Sequence, residues 1–277
     1  MSSTISYYTY IQTMKWRGKA IKIKNKNFII SIITGLVIFI LWTALTWKGR
    51  VSSIIFPSPE QVWKSFLALL DKGYKGYTLW EHMTASLRRL FIAFLLAVVT
   101  AIPLGLFSGY SDKIRAIFEP IIAFIRPLPP LGYYTIIILW MGIGDGSKIL
   151  LLYLGAFAPI YLSCVAGVTK VKADYINRAR TLGANKIQIF FYVILPASLP
   201  DIFVGLRNAM SAAYATSVAA EMVAAVSGIG WMVLDASKYL RSDVIFIGII
   251  IMGITGIILD KILLLLERKI VFWRGKN

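Results

Sequence analysis

The residues able to do covalent or metal chemistry are few in this chain and stand apart. It has one cysteine, Cys164, inside an apolar run, and one histidine, His82. A single thiol cannot close an internal disulfide. Neither residue has the neighbours that a metal cluster, a Cys/His pair or a Ser/His/Asp set requires, which argues against an enzyme. The run Gly142–Gly146 (GIGDG) lacks the Lys-Ser/Thr that a phosphate-cradling loop needs at that spacing. Glu221 interrupts an otherwise apolar stretch, where a carboxylate is costly unless paired or hydrated. It is expected to face the protein interior or an aqueous cavity. A hydrogen-bonding role suits it better than contact with an anion, for which its sign is wrong. Arg126 precedes Pro127, Leu128, Pro129 and Pro130, which break a helix and free its carbonyls. Its planar guanidinium suits an oxyanion, but it could also snorkel to an interface or satisfy those carbonyls. Arg88 and Arg89 are expected at an outer interface.

These residues are set among long apolar runs. The chain has 277 residues, of which 58% are hydrophobic, and a mean hydropathy of +0.72. A water-soluble globule of this size needs far more polar surface. About 20 apolar residues cross a bilayer as a helix. Spans are expected at about 28–47, 88–110, 120–142, 149–169, 202–226 and 244–266, in one transmembrane domain covering 28–277. Residues 59–72 read instead as a short amphipathic helix at the outer interface, with Val62, Phe66 and Leu69 on one face.

The net charge of +17 could suggest nucleic acid, but the basic residues lie between the apolar runs. Nucleic-acid binding is therefore not expected. Six spans put both termini on one side. With that side cytoplasmic, inner segments hold 17 Lys and Arg and outer segments eight. Positive residues accumulate inside, so 1–27, 111–116, 169–200 and 267–277 are assigned to the cytoplasm. The N-terminal segment is too long and basic for an ordinary secretory signal, no small-residue cleavage pattern follows Trp47, and it reads as a retained first span. The fifth span carries Gly205, Ala209, Ala213 and Ser217 at four-residue steps. Small residues let helices approach closely in lipid, either inside one chain or along a pathway or dimer face.

One segment fits neither a span nor a plain connector. Residues 172–200 read KADYINRARTLGANKIQIFFYVILPASLP. Asp174 is positioned to cap a first helix that ends at Gly183. Asn185 and Gln188 form a capping-box pattern for a second, and Pro196 and Pro200 are expected to stop or kink it. Such a hairpin suits docking into a groove on a cytoplasmic partner, or else lies on the membrane surface with none.

The hairpin resembles the "EAA" loop of ABC importer permeases: E-A-A, three residues, glycine, nine residues, I-x-L-P. Ala179 fills the third position, Gly183 follows, and Val193, Ile194, Leu195 and Pro196 fall at the required spacing. Asn177 replaces the usual Glu, Arg178 an Ala, and Val193 an Ile. The phrases FPSPEQVW, GAFAPIY, VILPASLPDIFVGLR and AAEMVAAVSGIGWMV are similar to the nitrate/sulfonate/taurine permease branch, the sulfonate/taurine members above all.

The resemblance implies an all-α polytopic membrane protein with six transmembrane helices, in the type I ABC importer permease fold with a cytoplasmic coupling helix. It implies a bacterial inner-membrane location, a pair of permease copies (a homodimer is expected), an ATPase dimer and an extracytoplasmic solute-binding protein. No cofactor is expected on this chain, with ATP and magnesium held by the ATPase. Coupling would fall to Asn177, Arg178, Ala179, Gly183, Ala184, Leu195 and Pro196. The translocation path would involve Arg126, Tyr133, Ser217, Glu221 and Met222. The outer turn around Gly228 and Gly230 and residues 231–240 would contribute to an outer gate and the binding-protein contact. A small anion such as taurine, an alkanesulfonate or nitrate is the expected solute. A thiamine precursor or a riboflavin-like solute is an alternative, as is an ion-driven transporter.

Overall fold

The apolar runs become helices because hydrocarbon offers nothing to a backbone N–H or C=O, so each must be satisfied within its own segment. The computed structural model describes residues 29–47 and 51–273. The basic segment 1–27 lies outside them. The described residues fall into two compact units that divide between Trp63 and Lys64.

The first unit carries α1 (Ile29–Thr46), whose apolar side chains are almost all exposed, as suits lipid surroundings. Trp42 ends it in a small cluster, donating its indole N–H to the Pro57 carbonyl at 2.9 Å and meeting Phe56 edge-on. The amphipathic α2 (Pro59–Lys72) crosses the division. It buries Val62 and Leu69 and exposes Trp63, Leu67 and Leu70.

The second unit holds the other helices. α3 (Leu79–Tyr110) begins well before the expected 88, because Thr78 and Glu81 form a reciprocal capping box. The expected span 120–142 is two helices. α4 (Asp112–Ile125) and α5 (Pro130–Met141) meet at 100°, broken at the proline run after Arg126. α6 (Asp145–Thr169), α9 (Leu195–Ala224) and α11 (Ser242–Ile270) are long and apolar, and α10 (Ile229–Lys238) is a short helix between the last two. Among the described residues there is no strand, only one bridge between Tyr74 and Tyr77.

α6 is the centre of this unit, packed between α3 and α9. Lipid gives no hydrophobic drive for that packing, so backbone proximity must supply it. Gly105 of α3 faces α6 so closely that a Cβ there would lie 2.6 Å from the Cys164 Cβ. Gly205 of α9 sits as close to Ser163. The row Gly205, Ala209, Ala213 and Ser217 is buried inside the chain, so these small residues serve packing. Gly205→Val is expected to cost about 1–3 kcal/mol by overpacking the α6–α9 seam. Thermal denaturation of the purified protein measures it, and an unchanged midpoint would mean the seam is loose. What α9 leaves open is a different stripe: Val204, Asn208, Ser211, Ala215 and Met222.

Candidate functional site

Beyond α6 the chain leaves the bundle as α7 (Ala173–Thr181), turns, and returns as α8 (Lys186–Ile189). The turn is set by Gly183, at φ +82°, where a left-handed backbone costs glycine nothing. Its N–H donates to the Arg180 carbonyl at 2.9 Å, and the Ala184 N–H to that of Ala179 at 3.1 Å. The Asn185–Gln188 capping box forms as its spacing implies, with bonds of 2.8 and 2.9 Å. Asp174 is no cap: α7 begins at Ala173, so the carboxylate sits in the first turn, where it suits the helix dipole.

The prolines do not end the second helix. Phe190–Ile194 widen into a π turn, in which the Leu195 N–H reaches the Phe190 carbonyl. Pro196 then falls in the first turn of α9, where its missing N–H costs little. Pro200 sits inside α9. Lys186–Val223 therefore run as one helical segment of 38 residues.

Ala179, Ala184 and Leu195 pack against the core, and Pro196 is half-buried. Asn177, Arg178 and Gly183 are exposed. So are large apolar side chains that motif spacing did not single out. Leu182 at the tip is 88% exposed, and Tyr175, Ile187 and Tyr192 are open too. Tyr175 and Arg178 on α7 and Leu182 at its C-cap recur at helical spacing, which was the available signal. A Cβ at Gly183 would meet nothing within 4 Å. Only backbone strain opposes substitution there, so Gly183→Asn should be nearly neutral. Gly183→Val should loosen the hairpin by about 1–2 kcal/mol. Amide exchange across 173–190 separates the two, and equal protection would refute the strain argument.

At the far end of α9 a second polar centre is sealed inside the protein. Glu221 is 1% exposed. One carboxylate oxygen accepts Arg89 Nη1 at 3.0 Å, and the other accepts Ser86 Oγ at 2.9 Å and the Gly230 N–H at 3.0 Å. Arg89 also donates to Asp145 at 2.7 Å and to the Ser227 carbonyl at 3.1 Å. Arg89 is therefore not at an interface. It is buried as the counter-ion of Glu221, because an unpaired carboxylate could not stay there. Arg88, the neighbour, is exposed and pairs with Asp145.

The turn between α9 and α10 is pinned by this centre. Gly228 (φ +126°) donates its N–H to His82 Nδ1 at 3.1 Å, and a Cβ on it would overlap the Glu221 carboxylate. His82 then carries its proton on Nε2, directed at the Tyr74 carbonyl, and stacks on Trp231. Tyr74 donates to Asp235 at 2.9 Å, and burial, followed by that carboxylate, pushes its hydroxyl above the ordinary range.

Residues 101–272 match the family model described as the binding-protein-dependent transport system inner membrane component. The chain belongs to that family. These permeases are transport proteins and not enzymes. The chain is 38% identical to the taurine transport system permease protein TauC of Escherichia coli K12, over all of this chain and 99% of that one. It is 33% identical to the putative aliphatic sulfonates transport permease protein SsuC of Bacillus subtilis, over 91% and 90% of the two chains. It is 32% identical to the nitrate import permease protein NrtB of a Synechocystis strain, over 85% and 86%. The permease thus falls in the taurine, sulfonate and nitrate branch. A solved structure of the MetNI methionine ABC transporter superposes with a TM-score of 0.54 at 19% identity, covering 72% of this chain and 98% of that one. The permease has the all-α type I importer fold; among the described residues five helices are long and apolar enough to cross a membrane, or six if the bent pair is one span.

The five path candidates differ in their exposure. Ser217 and Glu221 are buried and Tyr133 is half-buried, whereas Arg126 and Met222 are exposed. With both carboxylate oxygens engaged, Glu221 holds structure.

Proposed function

We propose that this permease imports a small sulfonate of the taurine type, with a separate ATPase gripping the 173–195 hairpin from the cytoplasm. The observation that carries this reading is the hairpin's outer surface. Leu182, Tyr175 and Ile187 stand exposed beside Arg178 and Arg180 on a segment too polar to lie in lipid. Exposed apolar anchors ringed by charge are the mark of a docking knob. Asn177, Arg178 and Gly183 would meet the ATPase, while Ala179, Ala184, Leu195 and Pro196 hold the knob's shape.

The coupling is mechanical. Closure of the ATPase dimer, driven by ATP and magnesium on that partner, pulls the hairpin. The Lys186–Val223 segment is about 56 Å long at 1.5 Å per residue. It carries the displacement from the knob to Glu221 and the Gly228 turn. The cavity between two permease copies then alternates between outward and inward access. The open stripe of α9 lines that path, and a solute-binding protein delivers the solute at the α10 end. The excess of basic residues in 1–27, 169–200 and 267–277 supports cytoplasmic termini.

The test is reconstitution with the ATPase and the binding protein. Uptake of taurine should require ATP, stop with Leu182→Asp, and leave membrane insertion intact. Uptake that survives ATP depletion would overturn the reading in favour of an ion-driven transporter.

A further inference from the structure

Three consecutive backbone donors stand at the start of α10, and each is held by a different side chain. The Gly228 N–H donates to His82 Nδ1 at 3.1 Å, the Ile229 N–H to Ser86 Oγ at 3.0 Å and the Gly230 N–H to Glu221 at 3.0 Å. His82 and Ser86 lie one turn apart on α3, and Glu221 comes from α9. All three side chains are buried. The turn between α9 and α10 is thus fastened at its most strained residue, Gly228 with its φ of +126°.

Of the three holders only His82 is of a type that gains or loses a proton near neutral pH. The Ser86 hydroxyl does not titrate there, and Glu221 is paired with Arg89 at 3.0 Å. His82 lies in the first turn of α3, ahead of the charge-free run that begins at Leu90. An N–H donates and cannot accept, so Nδ1 carries no proton while the Gly228 bond exists. Nε2 holds the ring's single proton and directs it at the Tyr74 carbonyl, 3.1 Å away. A second proton would set one N–H against another and seal a cation at 0% exposure.

The surroundings offer that cation no acceptor. Tyr74 and Tyr77, from the loop before α3, and Trp231 of α10 present rings to the imidazole. The indole face would attract a positive charge, but it cannot replace the lost Gly228 bond. Glu81, the neighbour on α3, is exposed and engages the Thr78 N–H and hydroxyl. Asp235 of α10 is held by the Tyr74 hydroxyl and by Lys75.

We infer that His82 is a proton-operated latch on the α9–α10 turn: the neutral ring fastens the turn to α3, and a second proton on the ring releases it. In the released form the ring meets water and titrates near the ordinary imidazole value of about 6.5. The fastened form excludes the second proton. Protons therefore bind the released form alone and favour it by up to about tenfold for each pH unit below that value. Above it the latch does not respond to pH. On the importer reading this end of the permease faces outside, so an acid exterior loosens the surface at which solute is delivered. The inference rests on that reading only for the side of the membrane.

Hydrogen exchange followed by mass spectrometry, on the full chain in lipid nanodiscs, tests the latch without transport. Protection at 228–230 is compared at about pH 7.5 and about pH 5.5, one unit to either side of the free imidazole value, after correction for intrinsic rates. Wild-type protection should fall about tenfold at the acid pH. His82→Asn puts an amide oxygen close to where Nδ1 stands, an acceptor for Gly228 that does not titrate. Its protection should change less than about twofold over the same range. His82→Gln serves the same purpose if the first variant does not assemble. Equal pH responses in wild type and variant, or a wild type that keeps its protection at the acid pH, overturn the inference. So does a fall of equal size in α6, since the whole bundle would then be loosening. ATP-driven sulfonate uptake near neutral pH is scored separately. The expected exchange without any such uptake keeps the latch and removes the importer reading, and uptake without the pH-dependent exchange does the reverse.

Discussion

Replacing Arg89 with alanine should remove about 3–5 kcal/mol of stability, more than any other single side-chain truncation considered for this permease. The loss comes less from the missing attraction than from what is left behind. Glu221 would keep its place at 1% exposure with only the Ser86 hydroxyl and the Gly230 N–H as partners. Asp145 and the Ser227 carbonyl would each lose a donor as well. Glu221→Gln should cost less, about 1–3 kcal/mol, because it removes the buried charge while keeping the shape. The double variant Arg89→Ala, Glu221→Gln should lose clearly less than the sum of the two. Groups in one buried network couple, and distant groups add. Thermal unfolding of the four proteins in one detergent reads this coupling. Additive losses would show that the two residues act independently and that the Gly228 turn is held by something else.

Leu182→Asp should weaken ATPase association by about 30-fold or more while the chain still inserts normally. A buried apolar anchor at the centre of an interface is worth at least about 2 kcal/mol, which corresponds to that factor. Leu182 is 88% exposed and meets no neighbour that would hold it in the free permease. Its loss therefore leaves the fold alone and acts only on a partner. Ile187→Asp should act in the same direction with a smaller effect. Co-purification with the ATPase measures both. Undiminished association of the Leu182→Asp protein would take the hairpin tip out of the interface.

The hairpin was legible in the sequence because its signals are local. A glycine that ends a helix, and Asn185 with Gln188 three residues later, specify geometry within a few bonds. The same locality explains where the reading slipped. Asp174 has the right type for a cap but lies two residues too far inside, and Pro196 breaks nothing because a π turn absorbs its missing donor. The break after Arg126 was legible as three prolines, but its angle of 100° was not, because proline type and spacing do not fix how the two halves pack.

Arg89 shows the other limit. In the sequence it is one of two adjacent arginines beside an apolar run, and nothing within its own helix says which is buried. Its partners lie 56 and 132 residues away, on α6 and α9. The Arg207–Asp260 pair likewise joins residues 53 apart. By itself the sequence determined the membrane environment, the all-helical fold and the capped hairpin, because apolar length and capping depend on residues close together in the chain. Only the tertiary structure decided which charges are paired and which face of α9 stays open. Both depend on which helices stand next to one another, and that choice is made by close backbone packing at sites such as Gly105 and Gly205.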